Sequence, residues 1–239
     1  MSEKFRFSLP DRPTGTPVSQ DEAERILRAN VAMETKGSQE HRDALWDLMR
    51  FLSMTERQTE GISILDQMLA TTSDPEQRAE IVLATGQLME MLEDFPSARA
   101  AYTQGVALEP VGGRTWYLLH NNLGYCLNQL DRFDEAERWC RSAIEIDSLR
   151  HNAYKNLGIA CQGQGKFADA ARAFIQAIHR EASDPRALLH LEDLIEKHPE
   201  IANEIPDLAD QARSCRTAVE TAKRTVEDWM SGQLPEPEE

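Results

Sequence analysis

The sequence predicts an all-α protein, an α-solenoid of antiparallel helix pairs closed by a long C-terminal helix. Three observations predict it: a 34-residue self-similarity, small residues that recur at one register inside helical segments, and short polar turns between those segments.

Composition sets the frame for that reading. The chain has 239 residues, and 41% of them are apolar, enough for a packed core in one elongated array or in one or two ordinary domains. With 41 acidic against 26 basic residues the formal charge is −15, which repels phosphate backbones and anionic head groups, so nucleic acid and membrane surfaces are not the expected partners. No stretch approaches the roughly 20 apolar residues of a membrane helix, and the first residues lack the apolar core of a signal peptide. The expectation is a soluble, cytoplasmic protein. Cys126, Cys140, Cys161 and Cys215 are widely spaced, with no C-x-x-C pair; buried free thiols are preferred over two disulfides because a helical chain of this length buries its own core.

Two segments, 117–150 and 151–184, align without a gap. Leu123-Gly124, Ala136, Ala143 and Ser148 in the first stand at the offsets of Leu157-Gly158, Ala170, Ala177 and Ala182 in the second, which also carries Phe174. A further copy at 79–112 keeps Gly86, Ala98, Tyr102, Gly105 and Pro110 at matching spacing, with Gly113 to Trp116 inserted before the next unit. Residues 42–74 form a degenerate copy through Leu45, Gly61, Leu65 and Met68, and 185–205 a partial one in which Glu192 replaces the glycine. A mid-helix glycine costs up to about 1 kcal/mol relative to alanine, so its recurrence requires a close helix crossing. Gly124 and Gly158, with Ala136 and Ala170 opposite, are expected to let paired backbones approach, while Phe133, Phe167 and Phe174 fill gaps between adjoining units. Core packing is the default role of all these residues.

The ends differ from the repeats. Residues 1–18 hold Pro10, Pro13, Pro17 and Gly15, a composition that predicts an extended or disordered arm; Ser19 or Asp21 then caps a helix over 19–36. Residues 206–231 predict one long helix with Leu208, Ala212, Cys215, Val219, Ala222, Val226 and Trp229 at heptad spacing, and 232–239 an acidic tail. Two readings of the long helix stand: a cap over the last repeat, preferred because its seam residues are small, and a coiled-coil contact with a second copy.

The period and the small and aromatic positions from 42 to 197 resemble the tetratricopeptide repeat family. The resemblance implies a right-handed superhelix whose first helices line a concave, peptide-binding face through their second, fifth, sixth and ninth residues. Those positions are Leu118, Asn121, Asn122 and Tyr125; Asn152, Lys155, Asn156 and Ile159; and Arg186, Leu189, His190 and Asp193. From these, Asn121, Asn122, Tyr125, Asn152, Lys155, Asn156, Arg186 and His190 are the candidate partner-binding residues. Asparagines both donate to and accept from a peptide backbone, and Lys155 with Arg186 suits a carboxylate, so the expected ligand is a protein or peptide segment with an acidic or carboxyl-terminal group. The strip is partly similar to the carboxylate clamp of tetratricopeptide co-chaperones: Asn156 and Arg186 match, whereas Asn121, Tyr125 and His190 stand where that clamp has lysine, asparagine and arginine. A merely solvated face is the alternative reading of the strip.

No chemistry-bearing motif accompanies the repeats. Glycine-loop, G-x-S-x-G and H-E-x-x-H patterns are lacking. The six histidines are dispersed; His190 and His198 are two turns apart, about 12 Å along a helix, too far to share a metal. The expectation is a non-enzymatic scaffold or adaptor without catalytic residues, metal or cofactor, and the partial clamp resemblance implies a co-chaperone-like role. The alternative is a structural protein that assembles with copies of itself through the terminal helix or a repeat edge.

Overall fold

A computed structural model describes residues 19–231 as eleven α-helices and one short 3-10 turn. The arm assigned to 1–18 and the tail assigned to 232–239 lie outside the described residues. The helices are α1 (Gln20–Met33), α2 (Gln39–Met54), α3 (Gln58–Thr71), α4 (Pro75–Met91), α5 (Phe95–Val106), α6 (Gly113–Gln129), α7 (Phe133–Ile146), α8 (His151–Gly163), α9 (Phe167–Arg180), α10 (Arg186–Lys197) and α11 (Leu208–Ser231). Each helix packs on its sequence neighbours, and α4, α6, α8 and α10 also touch in series, so the first helices of successive units form a continuous layer. The fold is an all-α repeat solenoid.

Helix starts are set by local capping. Ser19 accepts from the backbone N–H of Glu22 at 3.2 Å, Ser38 from His41 at 3.1 Å, and Asp74 from Gln77 at 3.2 Å, with Pro75 at the first helical position. Residues Gly113 to Trp116, placed between units by the repeat spacing, are the first turn of α6. Glu76 explains why: its carboxylate crosses from α4 and accepts from the N–H groups of Val111 at 2.8 Å and Gly112 at 3.2 Å, putting negative charge at the start of α6.

The turns within four helix pairs share one geometry. Glu56, Glu93, Asp131 and Gly165 have φ of 61°, 58°, 54° and 74°, and the next residue in each case donates to the carbonyl five residues back at 2.9 Å: Arg57 to Leu52, Asp94 to Met89, Arg132 to Leu127, Lys166 to Cys161. A left-handed residue followed by this bond is the Schellman helix stop, which reverses the chain within a few residues. The first of the four lies between α2 and α3, in the copy whose sequence signature is weakest.

Glycine contacts confirm the tight crossing and correct one packing assignment. A Cβ on Gly86 would lie 2.4 Å from the Tyr102 ring, on Gly124 2.6 Å from Cys140 Sγ, and on Gly158 2.4 Å from the Phe174 ring. The partner is sixteen residues onward each time. Phe174, expected between units, therefore fills the space inside its own helix pair, while Phe133 does bridge units by packing on Gly163. All four cysteines are buried free thiols, pushed above the ordinary thiol range by burial.

At the C-terminal end the 3-10 turn Pro199–Asn203 replaces a second helix, and α11 returns over α9 and α10. Leu208, Cys215 and Val219 are buried in one core with Phe174, Ile178, Leu191 and Leu194. Ala212 packs against the same core, whereas the distal heptad positions leave it: Val226 is 48% exposed and Trp229 71%. The cause is length, since α11 has 24 residues against 14 in α9 and 12 in α10, and its distal half runs past the surface that its proximal half covers.

Candidate functional site

A cleft of about 340 Å³ opens across α4, α6, α8 and the start of α10. It brings together Asn121, Asn122, Tyr125, Asn152, Lys155, Asn156 and Arg186, seven of the eight positions singled out by the sequence, with Leu118 and Glu90. His190 is not among the lining residues. Its ring stacks on Phe174 at 5.2 Å, which follows from the close α8–α9 crossing at Gly158, and burial with the nearby Lys155 charge lowers its basicity.

The asparagines do structural work as well as line the cleft. Asn121 and Asn156 are 7% and 3% exposed, and Asn156 Nδ2 donates to Asn121 Oδ1 at 3.1 Å, joining α8 to α6. Asn121 Nδ2 in turn donates to Asn122 Oδ1 at 2.9 Å, and Asn128 Nδ2 donates to the Asn156 carbonyl at 2.9 Å. Buried amides need such partners, so these groups are largely engaged with each other. Asn122 is the more available member; its Nδ2 reaches Tyr102 Oη at 3.4 Å, a long contact.

The two cations of the cleft are in different states. Arg186 is held bidentately by Asp184, Nε to Oδ1 at 2.8 Å and Nη2 to Oδ2 at 2.6 Å, and Asp184 Oδ2 also meets His151 Nε2 at 3.0 Å. The Arg186 guanidinium holds the Asp184 carboxyl well below the ordinary range. Lys155 is 8% exposed and makes no hydrogen bond or ion pair among the described residues. Desolvation, aided by the Arg186 charge, lowers its affinity for the proton. A cation largely withdrawn from water, offset only by the longer-range attraction of Asp184, is open to a ligand anion from the cleft.

Glu90, on the last turn of α4, was not foreseen. Its carboxylate is hydrogen-bonded by Tyr102 and accepts from Cys126 Sγ at 3.5 Å, and burial pushes its pKa up. It stands three residues beyond Gln87, the ninth position of its unit, so the positional rule that selects Tyr125 and Ile159 stops one turn short of it.

A second, wider cleft of about 610 Å³ continues the same face toward the N-terminus, with Trp46, Met49, Ile81 and Leu118 on its floor and Arg42, Arg50 and Arg114 at its rim. Leu118 lines both clefts, so they are continuous. Among the described residues no group of three or more His, Cys, Asp or Glu side chains is placed to hold a metal ion, and no helix is long and apolar enough to cross a membrane.

Stacked helix pairs with a polar cleft on the first-helix layer define a helical repeat protein. Residues 117–219 carry tetratricopeptide repeats: the family described as Tetratricopeptide repeat matches at residues 117–179 and at 156–219. Human tetratricopeptide repeat proteins 7B and 7A are each 30% identical over 105 residues, covering 44% of this chain and 12% of theirs, so the match takes up a small part of those relatives. Among solved structures, BtubC from P. vanneervenii superposes with a TM-score of 0.62 at 17% identity, covering 92% of this chain and 91% of that one. YrrB superposes with a TM-score of 0.55 at 14% identity, covering 86% and 100%. These likenesses concern the fold.

Proposed function

We propose that the protein is an interaction scaffold that holds an extended peptide segment of a partner in the first-helix cleft, with a ligand carboxylate set on Lys155. The carrying observation is Lys155, a residue only 8% exposed with no hydrogen bond or ion pair among the described residues, in a cleft whose other cation, Arg186, is already compensated by Asp184. Asn122 and Tyr125 flank it and supply hydrogen-bonding groups for the peptide backbone. YrrB, described as a TPR protein with an unusual peptide-binding site, supports the use of this fold for peptide recognition. The departures from the co-chaperone clamp at Asn121, Tyr125 and His190 argue for a ligand other than that clamp's. The reading places the protein among non-enzymatic scaffolds.

The test is a fluorescein-labelled peptide library selected on the full chain, with the recovered peptides titrated against Lys155→Met. Methionine keeps the apolar stem and removes only the charge. A charge-assisted hydrogen bond contributes about 1.5–3 kcal/mol, so the variant binds at least about tenfold more weakly while its circular dichroism spectrum is unchanged. Equal affinity for both proteins rejects the assignment.

A further inference from the structure

Resting on that reading, we infer that the cleft recognises a segment of mixed charge: a carboxylate on Lys155 and, further along the same segment, a cationic side chain on Glu90.

Both residues line one cleft from opposite sides, Glu90 on α4 and Lys155 on α8, with α6 between them. Neither charge has an ion-pair partner among the described residues, although Asp184 attracts Lys155 from a longer range. Among the described residues no lysine, arginine or histidine pairs with Glu90, whose partners Tyr102 and Cys126 are neutral donors. Elsewhere the same solenoid pairs a partly buried charge with opposite ones, as where Glu137 takes both Arg141 and Lys166 at 2.8 Å. Two opposite, desolvated, unpaired charges in one cleft are costly to the free protein and are relieved together by a ligand that carries the complementary pair. A purely acidic segment satisfies Lys155 and sets a like charge toward Glu90; a purely basic one does the reverse. The ring of Tyr125 lies between the two poles, where it feels both Glu90 and Arg186, and offers a surface for the segment that joins them.

The helix layer sets the spacing. Packed helices lie about 8–10 Å apart, so the two steps from α4 to α8 make roughly 16–20 Å between axes; the Glu90 carboxylate already reaches Cys126 on α6, so this is an upper limit, covered by about five or six extended residues at roughly 3.3 Å each. The geometry also fixes a direction, because exchanging the two ligand charges reverses the chain.

The experiment uses fluorescein-labelled decapeptides with one aspartate and one arginine at every pair of positions, each also made with asparagine or citrulline as the neutral counterpart, titrated by fluorescence polarisation on the full chain. The tightest peptides carry both charges no more than about five or six positions apart, in one order only. Replacing arginine by citrulline in them weakens binding about tenfold or more; Glu90→Gln abolishes that difference and leaves the aspartate preference intact, and Lys155→Met does the converse. Equal binding of arginine and citrulline peptides to the wild type overturns the inference without needing a variant. An aspartate preference that persists in that case leaves the Lys155 assignment standing, whereas loss of both preferences removes the two together.

Discussion

A lysine that is 8% exposed and has no ion-pair partner among the described residues costs the folded state part of the free energy of hydration, whatever it later gains from a ligand. Lys155→Met therefore melts above the wild type by about 2–4 °C, the shift that roughly 1 kcal/mol produces in a chain of this size. The sign of the pH dependence follows from the lowered proton affinity of Lys155. Between its folded pKa and the ordinary 10.5 the unfolded chain binds more protons, so wild-type stability rises with pH across that window. The gap between the two proteins narrows as pH approaches 10.5, and melts at pH 7 and pH 10 check it; a variant less stable than wild type at both would mean that the ammonium is compensated. That Lys155 faces a cleft was legible from its place in the repeat. Its lack of a partner was not, because the pairing of Arg186 with Asp184 depends on how α10 begins. The asparagines show the same limit: their recurrence is visible in the sequence, but Asn121 and Asn156 bond each other only because α6 and α8 lie side by side.

At the scale of the helix pair, glycine in the first helix and a bulky side chain sixteen residues later in the second form the repeated contact. Gly158→Ala already places a methyl group 2.4 Å from the Phe174 ring, and in a packed α8–α9 pair the ring has little room to yield. Overpacking costs about 1–3 kcal/mol against a propensity gain of up to about 1 kcal/mol, so the variant melts below the wild type. Phe174→Leu added to Gly158→Ala restores part of the loss, a non-additivity expected of residues in contact. Additive effects of the two substitutions would place the crossing elsewhere. The glycine register was readable from sequence since glycine has few other reasons to recur inside helices. The destination of Phe174 was not, as an aromatic side chain at the same position serves either the space within a pair or the space between pairs. Similarly, the heptad spacing of α11 continues past Val219, but contact ends there because α9 and α10 are shorter than α11.

At the scale of the whole molecule, the layer of first helices forms one continuous face on which two clefts meet at Leu118, and the second helices stand behind it. The periodicity made this architecture legible, including the copy between α2 and α3 whose Schellman turn matches the others. Glu90 remained outside the sequence reading because its approach to Tyr125 depends on the lateral offset between α4 and α6, which no spacing within one unit encodes. The central claim is that partners enter by the cleft face, and site-directed photocrosslinking addresses it most directly. p-Benzoylphenylalanine is placed either at Tyr125, in the cleft, or at Arg138, exposed on α7, and the full chain is irradiated in lysate with and without Lys155→Met. The account predicts an adduct from position 125 that disappears with Lys155→Met, and none from position 138; an adduct from position 138 with position 125 silent would contradict it.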